Sequence, residues 1–166
     1  MSRWKLIEPE DTLRLPWRNG RGVTRQFALW PAGARFEAGD FDWRISAAGV
    51  AEDGSFSTFA GFDRVLVVTE GAGLVLDHGT EGGRGRLRLL EPYSYSGDWD
   101  THAALVAGPV QDLGVLTRRG VWRAEVEVLR LGARRARLEL LPDEHGFVHV
   151  LRGECDARLE SEEDPM

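Results

Sequence analysis

Apolar and polar residues alternate with a period of two along much of this chain, and nowhere sustain a period near 3.6. Arg86-Leu87-Arg88-Leu89 alternates strictly, and within Arg123–Leu131 the residues Val126 and Val128 oppose Glu125 and Glu127. A period of two sends successive side chains to opposite faces of an extended backbone, so each such run predicts a half-buried strand. Val65–Leu76 is aliphatic on both faces of its first arm, which predicts a fully buried strand, and Glu70-Gly71-Ala72-Gly73 predicts a hairpin turn inside it. Short strands are further predicted at His102–Val106 and Asp112–Leu116. Two extended runs, Trp4–Glu8 and Val23–Trp30, flank the turn-rich stretch Pro16–Gly22, where Asn-Gly and Arg-Gly make positive φ cheap. Short strands with frequent turn signals and no helix predict an all-β sandwich or barrel.

Two stretches share one layout. Asp42–Gly71 runs strand, loop, strand, hairpin glycine, and Ala124–Gly153 repeats that order without insertion or deletion. The expectation is a tandem of two copies of one unit. Residues 1–122 would form an N-terminal segment plus the first unit, and 123–166 a shortened second unit sharing its core. The second unit should leave a sheet edge at Glu125–Leu131 or Cys155–Leu159, to be paired in a homodimer or covered by Trp4–Glu8.

Composition narrows the class. The chain has 166 residues, 42% hydrophobic and 29% charged, the profile of a soluble globular protein, and no apolar run nears the roughly 20 residues of a membrane span. Met1–Pro16 has no secretory h-region, and the single cysteine, Cys155, suits a reducing compartment; a cytoplasmic location is expected. A formal net charge of −6 argues against a nucleic-acid partner. The one basic cluster, Arg134-Arg135-Ala136-Arg137, reads as a solvated strand edge.

Three phrases go further: Pro16-Trp17-Arg18-Asn19-Gly20-Arg21-Gly22-Val23-Thr24-Arg25; Phe41-Asp42-Trp43-Arg44-Ile45-Ser46, with Phe56-Ser57 to Arg64 behind it; and Tyr95-Ser96-Gly97-Asp98-Trp99 with Gly108-Pro109-Val110-Gln111-Asp112-Leu113. In that order they resemble the HutD/Ves family of two-cupin (bicupin) β-barrel proteins, associated in bacteria with histidine utilisation. The resemblance covers about the first 120 residues and implies a cupin-like β-barrel or sandwich in tandem arrangement. Many cupins hold a divalent metal through a His-x-His pair, a Glu and a further His. Aligned on Gly71, the His positions fall on Ser57–Ala60 and the Glu position on Arg64; aligned on Gly153, they fall on Glu139–Pro142 and Gly146. Neither stretch keeps the ligands. His145 and His149 on a strand would lie about 13 Å apart, too far to share an ion. No metal and no cofactor are therefore expected.

Arg64 at an inward cupin position invites a carboxylate ligand, since a guanidinium fork matches a carboxylate bidentately. The competing reading is a salt bridge to Asp63 or to another acid at a strand start. Arg44 points inward too if even positions, with Ser46, face the interior. Trp17 is a core residue or a pocket wall. Asn19, Arg25 and Asp112 join the candidate site through the resemblance. No Gly-x-Ser-x-Gly elbow is present, and the acid–base alternative rests on Asp98, Asp100 and Asp112 meeting in space. The expected function is metal-free binding of a small organic acid, such as urocanate or formylglutamate, in a regulatory role rather than turnover. A metal-independent isomerase or hydrolase and a protein-interaction module remain open alternatives.

Overall fold

The computed structural model describes residues 4–17 and 22–158. Ten strands follow in chain order: β1 (Leu13–Pro16), β2 (Val23–Trp30), β3 (Trp43–Val50), β4 (Gly54–Phe56), β5 (Phe62–Glu70), β6 (Leu74–Asp77), β7 (Arg84–Leu87), β8 (Tyr93–Ser96), β9 (Thr101–Leu105) and β10 (Val110–Arg118). All strand pairs are antiparallel. They build a six-stranded sheet, β1-β2-β3-β10-β5-β8, and a four-stranded sheet, β4-β9-β6-β7. Among the described residues helix is limited to single turns at Pro9–Asp11, Phe36–Ala38 and Gly79–Gly82, as the missing 3.6 period leads one to expect. No helix among the described residues is long and apolar enough to cross a membrane.

The two sheets share one core. Val50, Leu66, Val68, Tyr95 and Val110 from the first pack with Leu74, Leu76, Leu87 and Ala103 from the second. Each fully buried aliphatic side chain contributes about 1.5–3 kcal/mol relative to exposure, and the period-two pattern is how ten short strands supply so many. A second apolar cluster, Phe41, Phe62 and Leu116 with Leu29, Phe36 and Phe59, lies at the other end of the same inner face. Alternation along β3, β5 and β10 assigns Arg44, Ser46, Ala48 and Val50, then Phe62, Arg64, Leu66 and Val68, then Val110, Asp112, Gly114 and Leu116, to that face.

Most predicted strands are present, with two corrections near them. Trp4–Glu8 is not a strand; the N-terminal strand is β1, paired with β2. The turn at Glu70–Gly73 does not close a hairpin. β5 pairs with β10 and β8, whereas β6 pairs with β7 and β9, so this turn carries the chain from one sheet to the other. Gly71 and Gly73 have φ of 99° and 113°, and a Cβ on Gly73 would lie 2.4 Å from the Leu87 carbonyl oxygen, so the passage between sheets needs glycine there.

The expected repeat is not seen. Its first stretch contains β3, β4 and β5, but no strand is assigned among residues 122–158. Alternation specifies which side chains share a face; a strand exists only where the backbone finds a ladder partner. The described residues of Glu125–Leu131 and Cys155–Leu159 accordingly form no ladder edge. Packing separates Ile7–Val128 from a second unit made of the described residues before and after it. Within that second unit the backbone turns where Arg134 N–H donates to Leu131 O (2.8 Å) and Glu144 N–H to Leu141 O (2.9 Å). Phe147 stacks on His149, and Leu138, Leu140, Leu141 and Val148 are exposed.

Candidate functional site

Between the two apolar clusters of the sandwich lies a polar layer on the inner face of the six-stranded sheet. Its cross-strand rows follow from the register. Leu29, Arg44, Leu116, Arg64 and Tyr95 lie side by side on β2, β3, β10, β5 and β8; Gln26, Ser46, Gly114, Leu66 and Tyr93 form the next row; Thr24, Ala48, Asp112 and Val68 the one after. The structure thus brings together four of the residues singled out from sequence: Arg44, Ser46, Arg64 and Asp112.

Arg44 is only 5% exposed. Its Nε donates to Gln26 Oε1 at 2.9 Å, its guanidinium carbon lies 3.8 Å over the Phe36 ring centre, and its Nη2 is buried without a hydrogen-bond partner. Burial pulls its pKa down to about 10, with Glu37 opposing and Arg64 adding to the fall. Arg64 is held by one hydrogen bond, Nη1 to Ser57 O at 3.0 Å, and sits 5.0–5.6 Å from the Tyr95, Phe59 and Phe56 ring centres. Burial lowers its pKa, against the pull of Tyr95 and Asp112. Asp63 is not its partner. It lies on the opposite face and pairs with Arg119 at 2.8 Å, so a salt bridge from Arg64 to Asp63 is not formed.

Asp112 is buried, and burial pushes its carboxyl up to about 7, against Arg64 and the Ala48 N–H, which both favour the anion. Near neutral pH this carboxyl is only partly ionised, so two guanidiniums face less than one full negative charge from it. Tyr95 is buried with its hydroxyl unpartnered; desolvation pushes its pKa to about 12, so the phenol keeps its proton. The layer thus sets two guanidiniums against the Asp112 carboxyl, with Glu37 acting on Arg44, and leaves two buried polar atoms, Arg44 Nη2 and Tyr95 Oη, unpartnered.

The other candidates lie elsewhere. Trp17 is the exception: it packs against the apolar core and its Nε1 donates at 2.9 Å to Oγ1 of Thr24, in the Ala48–Asp112 row, so it borders the layer with its indole N–H already engaged. Arg25 pairs in register with Ala47 and is exposed on the outer face, away from the arginine layer. Asn19 lies outside the described residues. Asp98 is engaged with Arg119, Gly61 N–H and Ser96 on the surface, so the acid–base grouping with Asp112 does not form.

Sequence reasoning missed Tyr95 and a buried histidine. His78 closes β6 with its Nδ1 2.9 Å from Thr101 Oγ1 and its Nε2 3.1 Å from Tyr93 Oη, packed among Tyr93, Tyr95 and Trp99. Burial lowers its pKa, favouring the neutral ring. The signal for the tyrosines was the alternation Tyr93-Ser94-Tyr95-Ser96; His78, beyond the aliphatic run, carried none. A cleft of about 450 Å³ lined by Asp63, Val65, Ser94, Thr117, Arg123 and Glu125 belongs to the outer face and shares only Arg64 and Tyr95 with the layer.

A cupin metal does not fit this donor set. Where the pattern's glutamate would stand the chain has the cation Arg64, and no three His, Cys, Asp or Glu converge among the described residues.

The HutD family model matches residues 9–166. The chain belongs to the HutD family. A Protein Ves from Citrobacter koseri is 37% identical over 126 residues, covering 74% of this chain and 63% of that protein. A 21.2 kDa protein of the hutC 3′ region in Pseudomonas putida is 31% identical over 127 residues, covering 76% and 65%. The solved HutD from Pseudomonas fluorescens SBW25, in a formate condition, is similar with a TM-score of 0.60 and 35% identity over 68% of this chain and 59% of that one. A conserved protein of unknown function from Pseudomonas aeruginosa PAO1 gives 0.62 and 33% over 71% and 59%. The matched part thus spans less than two thirds of these HutD relatives' own length.

Proposed function

We propose that this protein binds a small organic acid in a metal-free, cupin-type interior and acts as a regulatory binder rather than an enzyme. The observation that carries the reading is the Arg44–Arg64 layer: a buried Arg44 guanidinium with an unpartnered N–H and, beside Tyr95, a half-buried Arg64. A carboxylate there gains charge-assisted hydrogen bonds in a desolvated setting and relieves the repulsion between the arginines. Histidine-degradation intermediates, urocanate or formylglutamate, are the preferred ligands, in keeping with the family's association and with the hutC-region relative. Formate, named in the condition of the Pseudomonas fluorescens structure, is the smallest probe of the same chemistry. The bicupin arrangement belongs to this proposal as well, with residues 123–158 as part of a second cupin-like unit.

Calorimetry with these three acids tests it. Wild type should bind at least one at millimolar concentration or below, Arg64→Lys more weakly, and Arg64→Met more weakly still. No binding to wild type, or equal binding by Arg64→Met, overturns the assignment.

Metal-independent catalysis is the second reading, favoured by the buried Asp112 carboxyl on the layer's inner face, which burial pushes up to about 7, the range a general acid or base needs near neutral pH. Turnover of either acid, followed by NMR and abolished in Asp112→Asn, would replace the first reading with this one.

A further inference from the structure

Buried polar atoms in folded proteins are paired, and among the described residues two side-chain atoms are not: Arg44 Nη2 and Tyr95 Oη. Both residues are only 5% exposed, and both project from the inner face of the six-stranded sheet. They are not neighbours. Arg44, Leu116, Arg64 and Tyr95 follow one another across β3, β10, β5 and β8, three strand spacings, which puts their Cα atoms about 14 Å apart. Arg64 stands at the Tyr95 end, its guanidinium 5.0 Å from the tyrosine ring centre. Between the ends, one row over, Gly114 leaves the sheet without a side chain. A Cβ built there would lie in ordinary van der Waals contact with Leu66 Cδ1 at 3.6 Å and Ser46 O at 3.9 Å, so at this point of the layer only hydrogen stands where a side chain would fit.

We propose that the site is two-ended: its ligand is a linear acid with a hydrogen-bond acceptor at each end, one taken by Arg44 Nη2 and the other by the Tyr95 hydroxyl beside the Arg64 guanidinium. This rests on the acid-binding reading and adds the class of acid. A single carboxylate satisfies one orphan and leaves the other buried and unpaired, whereas a bifunctional acid satisfies both. Two guanidiniums also match two carboxylates in charge. The phenol, protonated at neutral pH, supplies the donor that an ionised tyrosine would lack.

A length series separates the possibilities: succinate, glutarate and adipate, each titrated calorimetrically against the monoacid of equal carbon number, butyrate, valerate and hexanoate. In wild type at least one diacid should bind about tenfold tighter than its monoacid, and the best length reports the gap between the two ends. Tyr95→Phe removes only the unpartnered oxygen and should fold, as its melting temperature will show; the diacid preference should collapse to less than about threefold. Gly114→Val, at a position without positive φ, fills the middle of the layer and should abolish the preference independently. If monoacids bind wild type and no diacid binds better, or if Tyr95→Phe and Gly114→Val both keep the preference, the two-ended site is wrong while acid binding stands. If no acid of either series and none of the three acids named above binds, both readings fall together.

Discussion

Arg119 and Arg44 stand at opposite ends of what a folded protein does with a guanidinium. Arg119, on the surface, has its arms occupied: Nε on Asp63, Nη1 on Asp98, Nη2 on Ser96 Oγ and Phe62 O. Asp98 is tied in turn by Gly61 N–H at 2.7 Å and Ser96 Oγ at 3.0 Å. Arg44, in the interior, has Gln26 on Nε, the Phe36 face beneath it and nothing on Nη2. A saturated network where water could have done the same job fastens the β5–β8 and β10 ends together. An unsaturated one where no solvent relieves it raises the free energy of the fold unless something else binds. The two settings differ in satisfaction, not in charge: Arg119 leaves no arm idle, whereas Arg44 keeps one buried N–H without a partner.

Substituting one arginine from each setting gives the largest contrast. Arg64→Met should weaken acid binding by roughly ten- to a hundredfold, the loss of a charge-assisted pair contributing about 1.5–3 kcal/mol. Arg119→Met should leave the affinity unchanged and lower the melting temperature slightly, as for exposed ion pairs generally. If Arg119→Met weakens binding as strongly as Arg64→Met, the division between the two settings fails. Gln26→Glu sharpens the interior side. A carboxylate on Arg44 Nε would neutralise the guanidinium from within and compete with the ligand, and we expect affinity for acids to fall by about tenfold.

The two carboxyls of the comparison titrate in opposite senses. Asp98 is held down to about 2, first by the Gly61 N–H, then by Arg119 and Ser96. Its contribution to stability is complete above its ordinary value near 4 and is lost as pH falls from there through 2. Asp112 is pushed up to about 7 by burial, so folding favours its protonated form. That group's contribution is most favourable below pH 4 and declines as pH rises from 4 through 7, by on the order of 2–4 kcal/mol. Denaturation of Asp112→Asn should lack the decline between pH 4 and 7 while keeping the acid limb. A wild type whose stability shows no such component against Asp112→Asn would place Asp112 in a wetter environment. The smallest effect expected is in Tyr95→Phe. Removing a buried, unpartnered hydroxyl should stabilise the ligand-free protein by about 1 kcal/mol, measured by denaturant unfolding; a destabilised variant would mean that the hydroxyl has a partner.

The interior face was legible in the sequence because a period of two needs no knowledge of partners. Once Val50, Leu66, Val68 and Val110 are core, Arg44, Arg64 and Asp112 must share their side. The same arithmetic fails for Arg25. Its register opposite Ala47 turns it outward, and the irregularity between Gln26 and Ala28 resets the count for the rest of β2. It fails more broadly for residues 123–158, where alternation as good as that of β7 comes with no assigned ladder. Tyr95 and His78 escaped notice for a different reason. What distinguishes them is the completeness of their hydrogen bonding, a property of several strands together that no single segment encodes.

The turn at Glu70–Gly73 has a kinetic consequence. Because it passes β5 and β6 to different sheets, these successive strands cannot nucleate folding as a local pair. β5 must wait for β8 and β10, and β3 for β10, contacts separated by some thirty to seventy residues along the chain. Topologies dominated by such distant pairings fold slowly, on the order of milliseconds to seconds. During synthesis Arg44 and Arg64 remain in water until β10 has emerged and been drawn between their strands. The cost of enclosing the two arginines therefore falls on the last strand to arrive.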